Sequence, residues 1–189
     1  MYNFFAYLGR MKYIKRWALM RSTVSENIME HSAEVGMLAH ALAVISNKYF
    51  SGNYNVERIG MLGLYHETSE VITGDMPTPI KYYNPEIRKA YKDIEDVANR
   101  KLINMLPDEL KEEYTNLIYP TSKELEILKA ADKLSAHIKC IEEVKSGNSE
   151  FKKALKSTKE ALEQSPLPEV SYFMKHFLPA YSKTLDELD

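Results

Sequence analysis

"ENIMEHSAEVGMLAHALAVISNKY", residues 26–49, decides how the rest of the chain is read. Ile28, His31, Val35, Leu38, Leu42 and Ile45 recur at steps of three and four, which places all six on one face of an α-helix. A stripe of this length buries itself against other helices, and it carries a histidine with it. Just upstream, Thr23 and Glu26 have the spacing of a capping box. Just downstream, "FSGNYN" (50–55) reads as a turn.

The same period extends over most of the chain. Seven glycines in 189 residues and no sustained Val/Ile/Thr alternation argue against a sheet. A short helix is expected over 2–8. Asn55 can cap another over 56–72, with Gly74 just beyond its end. Pro77 and Pro79 make "DMPTP" (75–79) non-helical. Asn84 and Pro85 read as N-cap and first helical position of a helix to about 105. Pro107 opens one to about 118, and Thr121 with Glu124 forms a second capping-box pattern before a helix to about 144. Helices over 150–163 and after "SPLP" (165–168) complete the chain, the last kinked or ended at Pro179. The expectation is an all-α fold, one compact helical bundle over 1–189, with no internal repeat or composition break.

Composition narrows the function classes. Hydrophobic residues make up 44 %, charged residues 28 %, and the net charge is −2. No global basic field exists to hold a nucleic-acid polymer, although a few local cations suffice for a small anion. The one cysteine, Cys140, excludes an internal disulfide framework and lies in an apolar run, where it reads as a small buried hydrophobe. No apolar run approaches the length of a membrane span, and the order of aromatics and charges at the start is wrong for a signal peptide. A cytoplasmic protein without membrane contact is expected.

Three ionisable side chains fall on faces that should be buried. His31 stands in the stripe quoted above. His66 follows Ile59 and Leu62 at steps of three and four. Asp132 follows Leu125 and Leu128. Buried carboxylates need a partner or a metal. Imidazoles and carboxylates are good ligands for divalent Zn, Mn, Co or Fe. His31, His66, Glu67 and Asp132 would form a four-ligand site. Periodicity alone leaves a second reading open, in which these are core histidines and a capping acid satisfied by neighbours; His40, His137 and His176 read that way. Glu70, one turn after His66, and Asp75 in the following loop would handle protons beside a metal, or be a solvated helix end and a turn former. Arg16 and Trp17, in "KRW", pair an anion contact with a flat aromatic.

Together, "MEHS" (29–32), "YHETSEVITGDMPTPIKYYN" (65–84) and "KAADKL" (129–134) resemble the HD-domain metal-dependent phosphohydrolases, in particular the bacterial YfbR-like 5′-deoxynucleotidases. "FFAYLGRMKYIKRWALMR" (4–21) and "YFMKHFLPAYSKTLDEL" (172–188) extend the resemblance over nearly the whole chain. It implies an all-α fold with one divalent ion, Co, Mn or Zn, on His31, His66, Glu67 and Asp132. It implies that Arg16 and Trp17 orient the phosphate and that Glu70 and Asp75 are catalytic acids. The loop Asp75, Met76, Pro77 and Thr78 would line the substrate pocket, with His31, Glu67 and Asp132 also touching substrate. The implied substrate is a deoxyribonucleoside 5′-monophosphate, disfavouring ribonucleotides, and the implied assembly a homodimer.

The chain departs from the family at Glu67, where the family has Asp. The extra methylene carries the carboxylate roughly 1.5 Å further, against a tolerance of about 0.2 Å for metal–ligand bonds. Ligation through another rotamer, altered metal binding, and nucleotide binding without turnover are all open; the other matching positions favour activity. The alternatives are a non-catalytic nucleotide- and metal-binding protein, and a phosphohydrolase of another small phosphate ester.

Overall fold

Asn27 starts the central helix. Its side chain accepts from the backbone N–H groups of Met29 and Glu30, and the Glu30 carboxylate accepts from the Asn27 N–H. The capping box is therefore Asn27–Glu30, not the expected Thr23–Glu26. Tertiary partners draw the other pair away: the Thr23 N–H donates to Glu143, and Glu26 accepts from Trp17.

The computed structural model describes residues 1–81 and 83–189, so residue 82 of the run 65–84 lies outside the described residues. Among the described residues there are ten α-helices and no strand; an isolated bridge pairs Lys15 with Asn27. The helices are α1 (Phe4–Leu8), α2 (Ile28–Tyr49), α3 (Val56–Tyr65), α4 (Glu70–Thr73), α5 (Thr78–Lys81), α6 (Pro85–Ile103), α7 (Asp108–Ile118), α8 (Ser122–Lys145), α9 (Lys152–Glu163) and α10 (Pro168–His176). Short 3₁₀ turns follow α1 at Met11–Tyr13, precede α9 at Ser149–Phe151, and close the chain at Leu178–Ser182 and Leu185–Glu187. Pro179 sits in the first turn of Leu178–Ser182, so it follows the end of α10 rather than kinking it. No helix is long and apolar enough to cross a membrane, among the described residues.

The stripe of α2 builds the main core. Val35, Leu38, Leu42 and Ile45 pack with Ile59 and Leu62 of α3, Ile127, Leu134 and Ile138 of α8, and Val170 and Phe173 of α10. Each such side chain contributes about 1.5–3 kcal/mol when fully buried. At Gly63 the two backbones meet: a Cβ there would lie 2.6 Å from Gly36 Cα. That contact brings the end of α3 against α2, next to His31. A second core joins Phe4 of α1, Leu102 and Ile103 of α6, Leu106 and Ile118.

Two expectations change near the site. The helix after Asn55 does not run to residue 72; it ends at Tyr65. Thr68 bonds back to the Tyr65 carbonyl through both its N–H and its hydroxyl, and the Glu70 N–H reaches Glu67 O. These tight local bonds compete with the helix ladder. His66 and Glu67 thus sit in a turn, and Glu70 starts a new short helix that ends at Gly74, φ +72°. Second, "DMPTP" is not wholly non-helical, because α5 begins at Thr78. Pro79 falls in its first turn, where a missing N–H breaks no ladder bond. The faces also need one adjustment. Leu128 is buried but Leu125 is 38 % exposed, so Asp132 lies at the edge of the packed side of α8.

Candidate metal centre

His31 comes from α2, His66 and Glu67 from the turn after α3, and Asp132 from α8. One ligand atom from each lies within 4.8 Å of all the others. His31 Nε2 is 3.1 Å from Asp132 Oδ1, and His66 Nε2 is 3.4 Å from Glu67 Oε1. The turn is what brings the longer carboxylate of Glu67 into the set.

The outer partners fix both rings. His66 Nδ1 is 2.7 Å from Gly63 O, which can only accept, so Nδ1 carries the proton and Nε2 the lone pair. His31 Nδ1 is 2.9 Å from Ser135 Oγ, and the Ser135 hydroxyl donates to Glu34. With that hydroxyl proton committed to the carboxylate, His31 Nδ1 is the donor and its Nε2 is bare too. Both Nε2 atoms are buried and, among the described residues, lack a hydrogen-bond partner. Orphaned buried acceptors are costly, and a cation between them and the two carboxylates satisfies both. Metal–ligand bonds of about 2.1 Å put neighbouring ligands of an octahedral ion about 3 Å apart. The 3.1 and 3.4 Å separations fit that spacing, so the donor set suits one divalent ion.

The charges of the cluster act on one another in both directions. Burial opposes ionisation of Asp132, but the closeness of His31, and then of His66, outweighs it and holds the carboxyl down to about 2. Burial likewise opposes ionisation of Glu67, yet His66 holds it well below the usual carboxylate range. His31 is pushed down, chiefly by burial. For His66 the charge of Glu67 overcomes burial and the pKa rises. Glu70 is pushed up to about 10 by burial, then by Glu67 and Asp75. Asp75 is also raised by burial, with Arg16 opposing. Glu70 and Asp75 thus lie in the field of the cluster, with Glu70 buried and Asp75 half-buried.

Arg16 and Trp17 reach the same neighbourhood from the N-terminal loop. The Arg16 N–H donates to Glu26 O, and the Ile28 N–H to Ile14 O, so the loop is stitched to the start of α2. Arg16 Nη1 is buried and, among the described residues, unpartnered. Trp17 packs on Phe151, ring centroids 5.2 Å apart. Met76 and Pro77 are half-buried and Thr78 is exposed. A cleft of about 180 Å³ opens on His66 and Asp132, walled by Leu62, Leu117, Leu128 and Lys129.

Sequence reasoning did not find Ser135, Glu34, Glu26 or Lys81. Glu34 and Ser135 each lie three residues after an expected ligand on the same helix, a spacing that could have flagged them. Lys81 pairs with Glu95 at 3.0 Å and acts on Glu67 and Asp75; nothing in its local sequence points there. Cys140 is buried, as expected.

The model of the 5′-deoxynucleotidase YfbR-like family matches residues 3–181. A 5′-deoxynucleotidase of Photobacterium profundum is 51 % identical over 189 residues, covering 98 % of this chain and 97 % of the relative. One from Vibrio cholerae is 50 % identical with the same coverage. Among solved structures, an HD-domain phosphohydrolase from Listeria innocua superposes with a TM-score of 0.82 at 24 % identity, covering 95 % of this chain and 88 % of its own. A cyanophage S-2L HD phosphohydrolase gives 0.63 at 23 % identity, covering 95 % and 96 %. These two show a shared all-helical fold. With a family model spanning nearly the whole sequence and relatives half identical along it, this chain belongs to the YfbR-like 5′-deoxynucleotidase family.

Proposed function

We propose that the chain is a metal-dependent 5′-deoxynucleotidase, which hydrolyses deoxyribonucleoside 5′-monophosphates to deoxyribonucleoside and phosphate. The observation that carries this reading is the joint presence of two bare buried imidazole nitrogens and a bare buried guanidinium nitrogen. It stands in a chain about half identical to 5′-deoxynucleotidases over nearly its full length.

His31, His66, Glu67 and Asp132 hold one divalent ion, Co, Mn or Zn. When bound, such an ion supplies Lewis-acid chemistry towards a phosphoryl oxygen and towards water. Arg16 places its unpartnered Nη1 against the phosphoryl oxygens and offsets their charge. Trp17 and the segment Asp75–Thr78 bound the space left for the sugar. Water attacks phosphorus, and the bond to the nucleoside 5′-oxygen breaks. Glu70 and Asp75, raised by burial, hold and pass the two protons involved: one leaves the attacking water and one returns to the 5′-oxygen. A binding-only reading rested on Glu67. Its carboxylate lies with the other ligands, so the swap by itself gives no reason to withdraw turnover. The same reading puts the enzyme in the cytoplasm as a homodimer.

The test is phosphate release by metal-stripped protein after adding back Co, Mn, Zn or Mg singly, with dAMP and AMP as substrates. Metal-dependent release from dAMP, with AMP far slower, supports the reading. Nucleotide binding with no release under any metal would overturn it.

A further inference from the structure

Glu26 is neither a ligand nor a proton-transfer group in the scheme above, yet three side chains converge on it. Its carboxylate is 13 % exposed. Oε2 accepts the Trp17 indole N–H at 2.8 Å and lies 3.8 Å from Arg16 Nε. Oε1 lies 4.0 Å from His31 Nδ1. The backbone carbonyl of Glu26 accepts the Arg16 N–H at 3.0 Å. One residue thus grips the loop through both main chain and side chain.

The loop needs that grip. Trp17 has φ +59°, the left-handed region, which an aromatic residue occupies only when its surroundings impose it. Phe151 closes one side of the indole, and Glu26 fixes its polar edge. The contact to Arg16 is different in kind. At 3.8 Å it is too long for a hydrogen bond. The carboxylate therefore attracts the Nε edge of the guanidinium without consuming the fork, and Nη1 stays buried and free. A negative group beside an anion site weakens that site by charge alone. Its placement is useful only if the geometry it imposes outweighs the repulsion.

We propose that Glu26 is the positioning residue for phosphate recognition. By accepting the Trp17 indole N–H and the Arg16 backbone N–H, it holds the loop so that Arg16 Nη1 faces the phosphoryl group held next to the cluster. The proposal rests on the phosphohydrolase reading for its substrate. Were Glu26 merely a brace for the loop, its loss would lower stability and leave substrate affinity unchanged.

Trp17 is the only tryptophan, so its emission reports this contact without a label. The full-length protein, metal-loaded, is compared with Glu26→Ala and Glu26→Gln. In Glu26→Ala the indole should become more accessible to acrylamide. KM for dAMP should rise about tenfold, the effect of losing one buried hydrogen-bond partner, with kcat changing less and bound metal unchanged. Glu26→Gln keeps an oxygen that accepts from the indole, so it should restore the emission and bring KM within about threefold of wild type. If Glu26→Ala does not fold, Glu26→Asp, whose carboxylate is one methylene short of the indole N–H, takes its place: KM and indole accessibility should rise with bound metal unchanged, and wild-type KM there would overturn the proposal. Binding of inorganic phosphate, followed by the same emission, should weaken about tenfold in Glu26→Ala. Wild-type KM and phosphate affinity in Glu26→Ala would overturn the proposal. So would a Glu26→Gln variant impaired in KM and emission like Glu26→Ala. If wild type itself releases no phosphate from dAMP, the functional reading fails, and the phosphate-binding arm still decides the role of Glu26.

Discussion

Helix α8 carries two buried polar groupings about two turns apart, and they differ in one respect. Around Asp132 and Ser135, the rings of His31 and His66 each keep a bare Nε2. Around Lys139 and Glu143, each charged group is paired and hydrogen-bonded. The Glu143 carboxylate accepts from Lys139 Nζ, the N–H groups of Thr23 and Val24, and Asn148 Nδ2, while Lys139 Nζ also donates to Val24 O. Nearby, His137 Nδ1 meets Thr158 Oγ1 at 2.8 Å. Burial of polar residues is common to both groupings and says little about function. Open coordination at one of them and closure at the other separates a binding site from a structural joint.

Replacing one residue at a time should pull the two apart. Asp132→Ala removes a ligand from the open grouping. Bound metal and turnover should disappear together, with turnover down by about a thousandfold or more, since the several kcal/mol supplied by a metal are lost. Metal analysis beside phosphate release checks it; full metal content would take Asp132 out of the ligand set. Glu143→Ala opens the closed grouping and strands Lys139. It should cost about 3–5 kcal/mol of unfolding free energy, read by denaturant titration, with metal per folded molecule unchanged. Burial opposes ionisation of Glu143, but Lys139, Thr23 and Asn148 hold its folded pKa below the ordinary 4.5. Its stabilisation is therefore complete above that value and fades as the pH falls towards the folded pKa. Glu143→Gln should flatten the acid limb of the stability curve.

Ser135→Ala is a smaller and sharper test. It removes the partner of His31 Nδ1 without touching a ligand, so metal affinity should drop about 10–100-fold; an unchanged metal titration would mean that the Ser135–Glu34 pair does not set the ring. Thr158→Val, the matching change at His137, should cost about 1 kcal/mol of stability and leave metal affinity as it was. Equal effects on metal from Ser135→Ala and Thr158→Val would erase the distinction between the two groupings.

Part of this was legible in the sequence because it is local. The stripe on α2 follows from periodicity, and the Asn84 cap and Thr121–Glu124 box appear where residue spacing puts them. Three of the four candidate ligands, His31, His66 and Asp132, showed as polar residues on apolar faces. What escaped depends on distant partners. The expected Thr23–Glu26 box gave way to Asn27–Glu30 because Thr23 is drawn to Glu143 and Glu26 to Trp17. The break after Tyr65 was hidden because Val71 and Ile72 continue an apolar pattern, while the bonds of Thr68 that end the helix leave no periodic trace. Glu34 and Ser135 needed the ligands to be assigned before their three-residue spacing meant anything, and Glu26 and Lys81 act through groups elsewhere in the chain that no spacing rule reveals.

The open valences are tested most directly by nitrogen-15 NMR of the five histidine rings as zinc is added to metal-stripped protein, a diamagnetic probe of the site. A single equivalent should shift Nε2 of His31 and His66 to metal-bound values and leave the ring of His137 unmoved. Unmoved signals from His31 and His66, or a shift at His137 instead, would contradict a metal centre at this end of α8.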